Sequence, residues 1–168
     1  MESQLKSQIS EAFSINDYPG DDSIVVSWTA PSLQDPHCIL VDHETLTLYN
    51  QFRGKNWHSL SADVLLESVK ELGTFTSLGF RYYIPAFLLY ALDDQCPIAF
   101  KILLESALLK RVHLQWFIDR VSMLTPAQQR VVADTMVYLF DTNRDNGLFE
   151  PPAEGLQFWK NLFDKAAG

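Results

Sequence analysis

Basic residues are scarce: 13 Lys and Arg stand against 21 Asp and Glu in 168 residues, a formal net charge of −8. Nucleic-acid binding relies on cations neutralising phosphates, so this balance argues against it. The densest basic stretch, Lys110-Arg111 with His113, is too short to follow a phosphate backbone. Anionic membrane surfaces are disfavoured for the same reason. Cysteine is rare as well, with only Cys38 and Cys96. Met1 runs into the polar Glu2-Ser3-Gln4 rather than an apolar leader, so the expected compartment is a reducing cytoplasm with two free, buried, structural thiols. The longest apolar run, Tyr82 to Leu92, falls short of the ~20 residues a membrane helix needs and is interrupted by Pro85. No G-x-S-x-G elbow, glycine-rich phosphate cradle or H-E-x-x-H pair is present. Accordingly no catalytic residue is nominated, and no cofactor and no metal are expected.

Apolar residues and rings are plentiful: 47% of the chain is hydrophobic, with 11 Phe, 6 Tyr and 4 Trp. A chain this long buries roughly 70% of its unfolded surface, enough for one core without disulfide staples. Leu5, Ile9, Ala12 and Phe13 fall at helical spacing over 2–14, and Asp17-Tyr18-Pro19-Gly20-Asp21-Asp22 is turn chemistry. The β-branched stretch 23–28 reads as extended, with no second convincing strand to pair with it. A helix starting near Asp42-His43-Glu44 runs to Gly54, and Trp57 and Leu60 beyond it plug the core. Ser61 is the expected N-cap of a helix over 62–72 and Thr76 another cap. Pro85 disfavours helix at Ile84, so a fully buried helix is expected to start at Pro85 and reach Leu92.

A second apolar helix runs from Pro97 to Leu109, where Lys101, Glu105 and Ser106 form a narrow exposed stripe. A short helix around 113–121 follows. Thr125-Pro126-Ala127-Gln128 then has the form of a capping box, opening a helix to about Phe140 with Val132, Met136 and Phe140 inward. Residues 141–152 read as a loop and 153–166 as a final helix burying Leu156, Trp159, Leu162 and Phe163. The expected fold is all-α, an irregular single-domain bundle of six to eight helices over 1–168, with 1–35 as a loosely attached extension.

Three motifs imitate chemistry. Asp141-Thr142-Asn143-Arg144-Asp145-Asn146-Gly147 opens like a calcium loop, but Gly arrives one position late and Pro152 stands where the bidentate Glu belongs. His37, Cys38, Asp42 and His43 offer metal-ligand atoms without the paired cysteines usual in structural zinc sites. Cys96 precedes Pro97 at a helix start, where the dipole favours a thiolate and Asp93 and Asp94 oppose it.

Arg81-Tyr82-Tyr83 holds the more informative chemistry. A guanidinium beside two phenols binds an anion between ring walls, or else builds a buried network in which Arg81 satisfies the orphan carbonyls of a helix end. The network is the plainer reading. Gly54-Lys55-x-Trp57-x-x-Leu60, Gly79-Phe80-Arg81-Tyr82-Tyr83-Ile84-Pro85-Ala86-Phe87 and Leu124-Thr125-Pro126-x-Gln128 together resemble a family of small bacterial proteins containing a domain of unknown function. The middle block, G-F-R-Y-Y-[LI]-P-A, carries most of that resemblance, which covers roughly residues 36–140. It implies a bacterial origin and a helical fold, and nothing about catalysis.

Two functions follow as expectations. The favoured one is a non-catalytic protein-binding module, an immunity-type or regulatory partner of a basic protein, consistent with the acidity. The other is an enzyme or small-ligand protein whose site gathers Trp57, His58, Arg81, Tyr82 and Tyr83 into one cleft.

Overall fold

Short polar side chains fix several helix starts in the computed structural model, which describes residues 1–25, 43–112, 114–143 and 153–166. The Ser61 hydroxyl accepts from Val64 N, and the Thr76 hydroxyl accepts from Gly79 N at 2.9 Å. The capping box is complete: Thr125 N donates to Gln128 Oε1 at 3.0 Å, and Gln128 N donates to Thr125 Oγ1 at 3.3 Å. Such caps stabilise a helix by ~1 kcal/mol each. Among the described residues there are eight α-helices: α1 (Glu2–Ala12), α2 (His43–Phe52), α3 (Ala62–Ser68), α4 (Ser77–Ala91), α5 (Ile98–Leu109), α6 (Gln115–Ser122), α7 (Pro126–Asn143) and α8 (Ala153–Ala166). Short 3₁₀ turns at Asp21–Ser23, Trp57–Ser59 and Val69–Thr74 link them. The protein is an all-α helical bundle. Among the described residues the extended segment amounts to one isolated antiparallel bridge, Val25 to Phe75; residues 26–28 lie outside them.

Helix α4 is central and touches α1, α3, α5, α6, α7 and the Trp57–Ser59 turn. Phe80, Tyr83, Ile84, Phe87, Leu88 and Ala91 on it are almost wholly buried. Phe52, Phe75, Tyr83 and Phe87 meet edge-on or stacked, with centroids 4.8–6.4 Å apart. Burying each such ring contributes about 1.5–3 kcal/mol. The described part of the N-terminal segment is not a loose extension. Leu5, Ile9, Phe13, Ile24 and Val25 belong to the same core, and α1 packs on α7 and α4. Gly79 shows how closely the chain returns, because a Cβ there would sit 2.1 Å from the carbonyl oxygen of Ile24.

Several boundaries differ from expectation for identifiable reasons. The span 62–72 divides into α3 and a 3₁₀ turn. Helix α7 continues to Asn143, which makes Leu139 rather than the half-buried Phe140 its last inward apolar residue. Helix α4 does not begin at Pro85 but runs straight through it from Ser77. Proline has no N–H to give the carbonyl four residues back, an omission that breaks most helices. Here the Asn16 side-chain amide, from 65 positions away, donates to the Arg81 carbonyl at 3.1 Å. Gln128 Nε2 in turn donates to Asn16 Oδ1 at 3.3 Å and to the Ala12 carbonyl at 3.1 Å.

Glu105 was expected on an exposed stripe and is instead 6% exposed, with Oε1 lacking any hydrogen-bond partner. The exposed face of α5 carries Ile98 and Leu103. Burial pushes the Glu105 carboxyl up to about 7, partly offset by Lys110.

Two outcomes follow from these features. Replacing Asn16 with Ala leaves the Arg81 carbonyl unpaired and should cost ~1–3 kcal/mol in urea unfolding. In a Pro85→Ala background the restored N–H takes over, so the same Asn16 change should cost distinctly less; equal costs would sink the compensation. For Glu105 the folded pKa lies above the unfolded one, so its stability contribution is complete below about pH 4.5 and is lost as pH rises towards 7. The stability gained by Glu105→Gln over wild type should therefore grow between pH 5 and pH 8 by on the order of 2–3 kcal/mol; a gain independent of pH would contradict this.

Candidate functional site

The Thr76 cap and the Gly79 contact fix the first turns of α4 against residues 23–25, and the Asn16 amide ties the loop after α1 to the same helix. Side chains three and four positions apart share a helix face, so Leu78, Arg81 and Tyr82 look together onto that loop. They enclose, with Ile15, Asn16, Asp17, Tyr18 and Pro19, a cavity of about 260 Å³. Arg81 Nε is buried with no hydrogen-bond partner. Tyr18 and Tyr82 meet edge-on at 5.4 Å, and burial raises both phenols. The Tyr18 hydroxyl bonds Asp21, and both groups accept from Gly54 N, at 2.7 and 3.0 Å, so the cavity wall is fastened to the turn after α2. That turn needs Gly54, whose φ is +67°.

The five nominated residues do not meet in one cleft. Arg81 and Tyr82 line the cavity. Tyr83, one residue on and turned ~100° around the helix, points into the core. Its hydroxyl is within 2.7 Å of the Phe52 carbonyl and 3.0 Å of the Lys55 carbonyl, where it closes the end of α2. Trp57 is buried as a core plug, and its backbone N–H acts on the Tyr82 phenol. His58 is exposed and stacks on Trp57 with centroids 3.4 Å apart, away from the cavity walls. The buried guanidinium network expected of Arg81 is built by Arg120 instead. Arg120 Nε donates to Phe75 O at 2.8 Å, Nη1 to Trp116 O at 2.6 Å and Nη2 to Gly73 O at 2.8 Å, while its guanidinium lies over the Trp116 ring.

A second concave surface runs between α1 and α7. Two adjoining hollows of about 500 and about 390 Å³ share Gln8 and Asp134. Glu11, Asp134 and Asp141 line them with a single cationic side chain, Arg130, which pairs with Asp134 at 3.7 Å. Val137, 45% exposed, and Tyr138 supply apolar surface. No sequence signal marked this groove, because α1 and α7 each read as ordinary amphipathic helices. The cavity loop had one weak signal: Ile15 stands alone among polar residues beyond the end of α1.

The other motifs resolve as follows. Asp141–Asn143 close α7, and Asn143 Nδ2 folds back onto Leu139 O at 2.6 Å, so the calcium-like run starts in a helix; residues 144–152 lie outside the described set. His43 begins α2, while His37, Cys38 and Asp42 lie outside the described residues, as does His113. Among the described residues, no three His, Cys, Asp or Glu side chains group as a metal site would require. No described helix is long and apolar enough to cross a membrane. Cys96 is buried, its Sγ 3.7 Å from the Pro97 carbonyl, and burial with Asp93 pushes the thiol up to about 11 against the pull of Lys101. A thiol so protonated is a poor nucleophile at neutral pH. In a Cys38→Ser background, an aromatic disulfide reagent at pH 7.5 should label Cys96 only as fast as the protein opens; immediate labelling would contradict its burial.

The sequence matches a family of unknown function (DUF6714) over residues 1–161, which takes in the Arg81 cavity and the α1–α7 groove. No curated protein and no solved structure matches it. The chain belongs to this family of unknown function.

Proposed function

We propose that this protein is a non-catalytic binding module of the bacterial cytoplasm, an immunity-type or regulatory partner that holds a basic segment of another protein in the α1–α7 groove. The observation that carries the reading is the pair of adjoining hollows sharing Gln8 and Asp134, where Glu11 and Asp141 stand as carboxylates outside the Arg130–Asp134 pair. An elongated groove between two helices suits a rod-like segment, and its charge selects a cationic one. Exposed ion pairs contribute only ~0.2–1 kcal/mol each, so they set partner choice and encounter rate. Affinity has to come from Val137 and Tyr138, at ~25 cal/mol per Å² of apolar surface covered. Asp141 fits this division of labour. It sits in the last turn of α7, where the helix dipole disfavours a carboxylate, so its placement serves something other than helix stability.

A second reading, small-ligand binding, is favoured at one place only, the cavity where Arg81 Nε lacks a partner. The groove is tested by affinity capture from the cell's own lysate, comparing wild type with the Asp134→Lys/Asp141→Lys variant at about 50 and about 300 mM salt. The expected result is one basic protein held by the wild type, weakened at the higher salt and lost from a variant with an unchanged circular dichroism spectrum. Equal capture by both proteins, or none by either, would overturn the reading.

A further inference from the structure

Arg81 and Asp17 line the same cavity with opposite charges, yet no ion pair joins them. Arg81 Nε itself is buried without an acceptor, so any bond to a group in the cavity falls to the rest of the guanidinium. Around these two charges stand three of the exposed large apolar side chains: Ile15 at 86%, Leu78 at 43% and Tyr18 at 36%. Exposed apolar surface gathered around a hollow marks a place where something docks. At about 260 Å³ the hollow lies below the ~300–1,000 Å³ of drug-sized sites, which suits a metabolite of amino-acid size. Its walls are set in advance, because Asn16 is tied to the Arg81 carbonyl and Gln128, and Tyr18 to Asp21 and Gly54.

We infer that this cavity binds a small zwitterion, an α-amino acid with an apolar side chain. The Arg81 guanidinium donates to its carboxylate, as guanidinium geometry favours. Asp17 accepts from its ammonium group. Leu78, Ile15 and the Tyr18 ring cover its side chain, and Tyr82 closes one wall. The two opposite charges that line the cavity are matched together, which neither a plain anion nor a plain amine achieves. The inference is independent of the α1–α7 groove, since Arg81 and Asp17 are not part of that groove.

The test measures thermal shifts and calorimetric binding with four probes: L-leucine, L-phenylalanine, 3-phenylpropionate, which lacks the ammonium, and phenethylamine, which lacks the carboxylate. At least one amino acid at about 10 mM should raise Tm by several degrees, with both truncated probes at least about tenfold weaker. Arg81→Gln should abolish the effect. Asp17→Asn alters only an exposed side chain, so it keeps the fold, and it should erase the preference for phenylalanine over 3-phenylpropionate. The inference is overturned if neither amino acid shifts Tm, if 3-phenylpropionate binds as well as phenylalanine, or if Asp17→Asn leaves the preference intact.

Discussion

Pro85 removes one donor from the middle of the central helix, and the amide of Asn16 replaces it. The replacement does more than rescue a carbonyl. Asn16 accepts in turn from Gln128, whose side chain also closes the capping box at the start of α7 and reaches the last carbonyl of α1. Three helices therefore meet at one polar node inside an otherwise apolar core. The node fixes α1 alongside α7, which makes the groove, and fixes the loop after α1 against α4, which makes the cavity. Gln128 is 2% exposed, so water cannot stand in easily for a missing partner.

Local chemistry was legible in the sequence wherever the determinant lay within a few residues. Ser61 and Thr125 cap the helices expected of them, Thr76 is a cap as expected though its helix was expected to start at Pro85, and the last helix spans the expected 153–166. What escaped reading depended on partners far along the chain. Pro85 reads as a helix start until Asn16, 65 positions from Arg81, supplies the missing bond to the Arg81 carbonyl. Arg81 and Arg120 are the same residue type with opposite fates. Arg120 faces the free carbonyls of Gly73 and Phe75, whereas Arg81 faces a hollow. Glu105 reads as a solvated position in an apolar helix, and only the packing of that helix buries it.

The block Gly79–Ala86 was recognisable as unusual, and its first six residues now have physical reasons. Gly79 admits the Ile24 backbone, Phe80 and Ile84 fill the core, and Tyr83 closes α2. Arg81 and Tyr82 are the two that turn outward to a shared hollow. Trp57 and His58 were grouped with them because their two blocks could converge on one cleft. Trp57 is instead needed inside, and His58 follows it by stacking. The walls contributed by Ile15 to Tyr18 had no local feature linking them to α4.

The node also sets an order of events during synthesis. Asn16 and Gln128 are 112 positions apart, so their bond requires one of the longest loop closures in the chain. Individual helices form in microseconds from nearby residues, but contacts of such separation are the slow ones. On the ribosome, α1 emerges early with Leu5, Ile9 and Phe13 as an apolar stripe whose main partner, α7, is not yet made. Until residue 128 has left the exit tunnel, that stripe is open to chaperones or to neighbouring chains, and the groove between α1 and α7 does not yet exist.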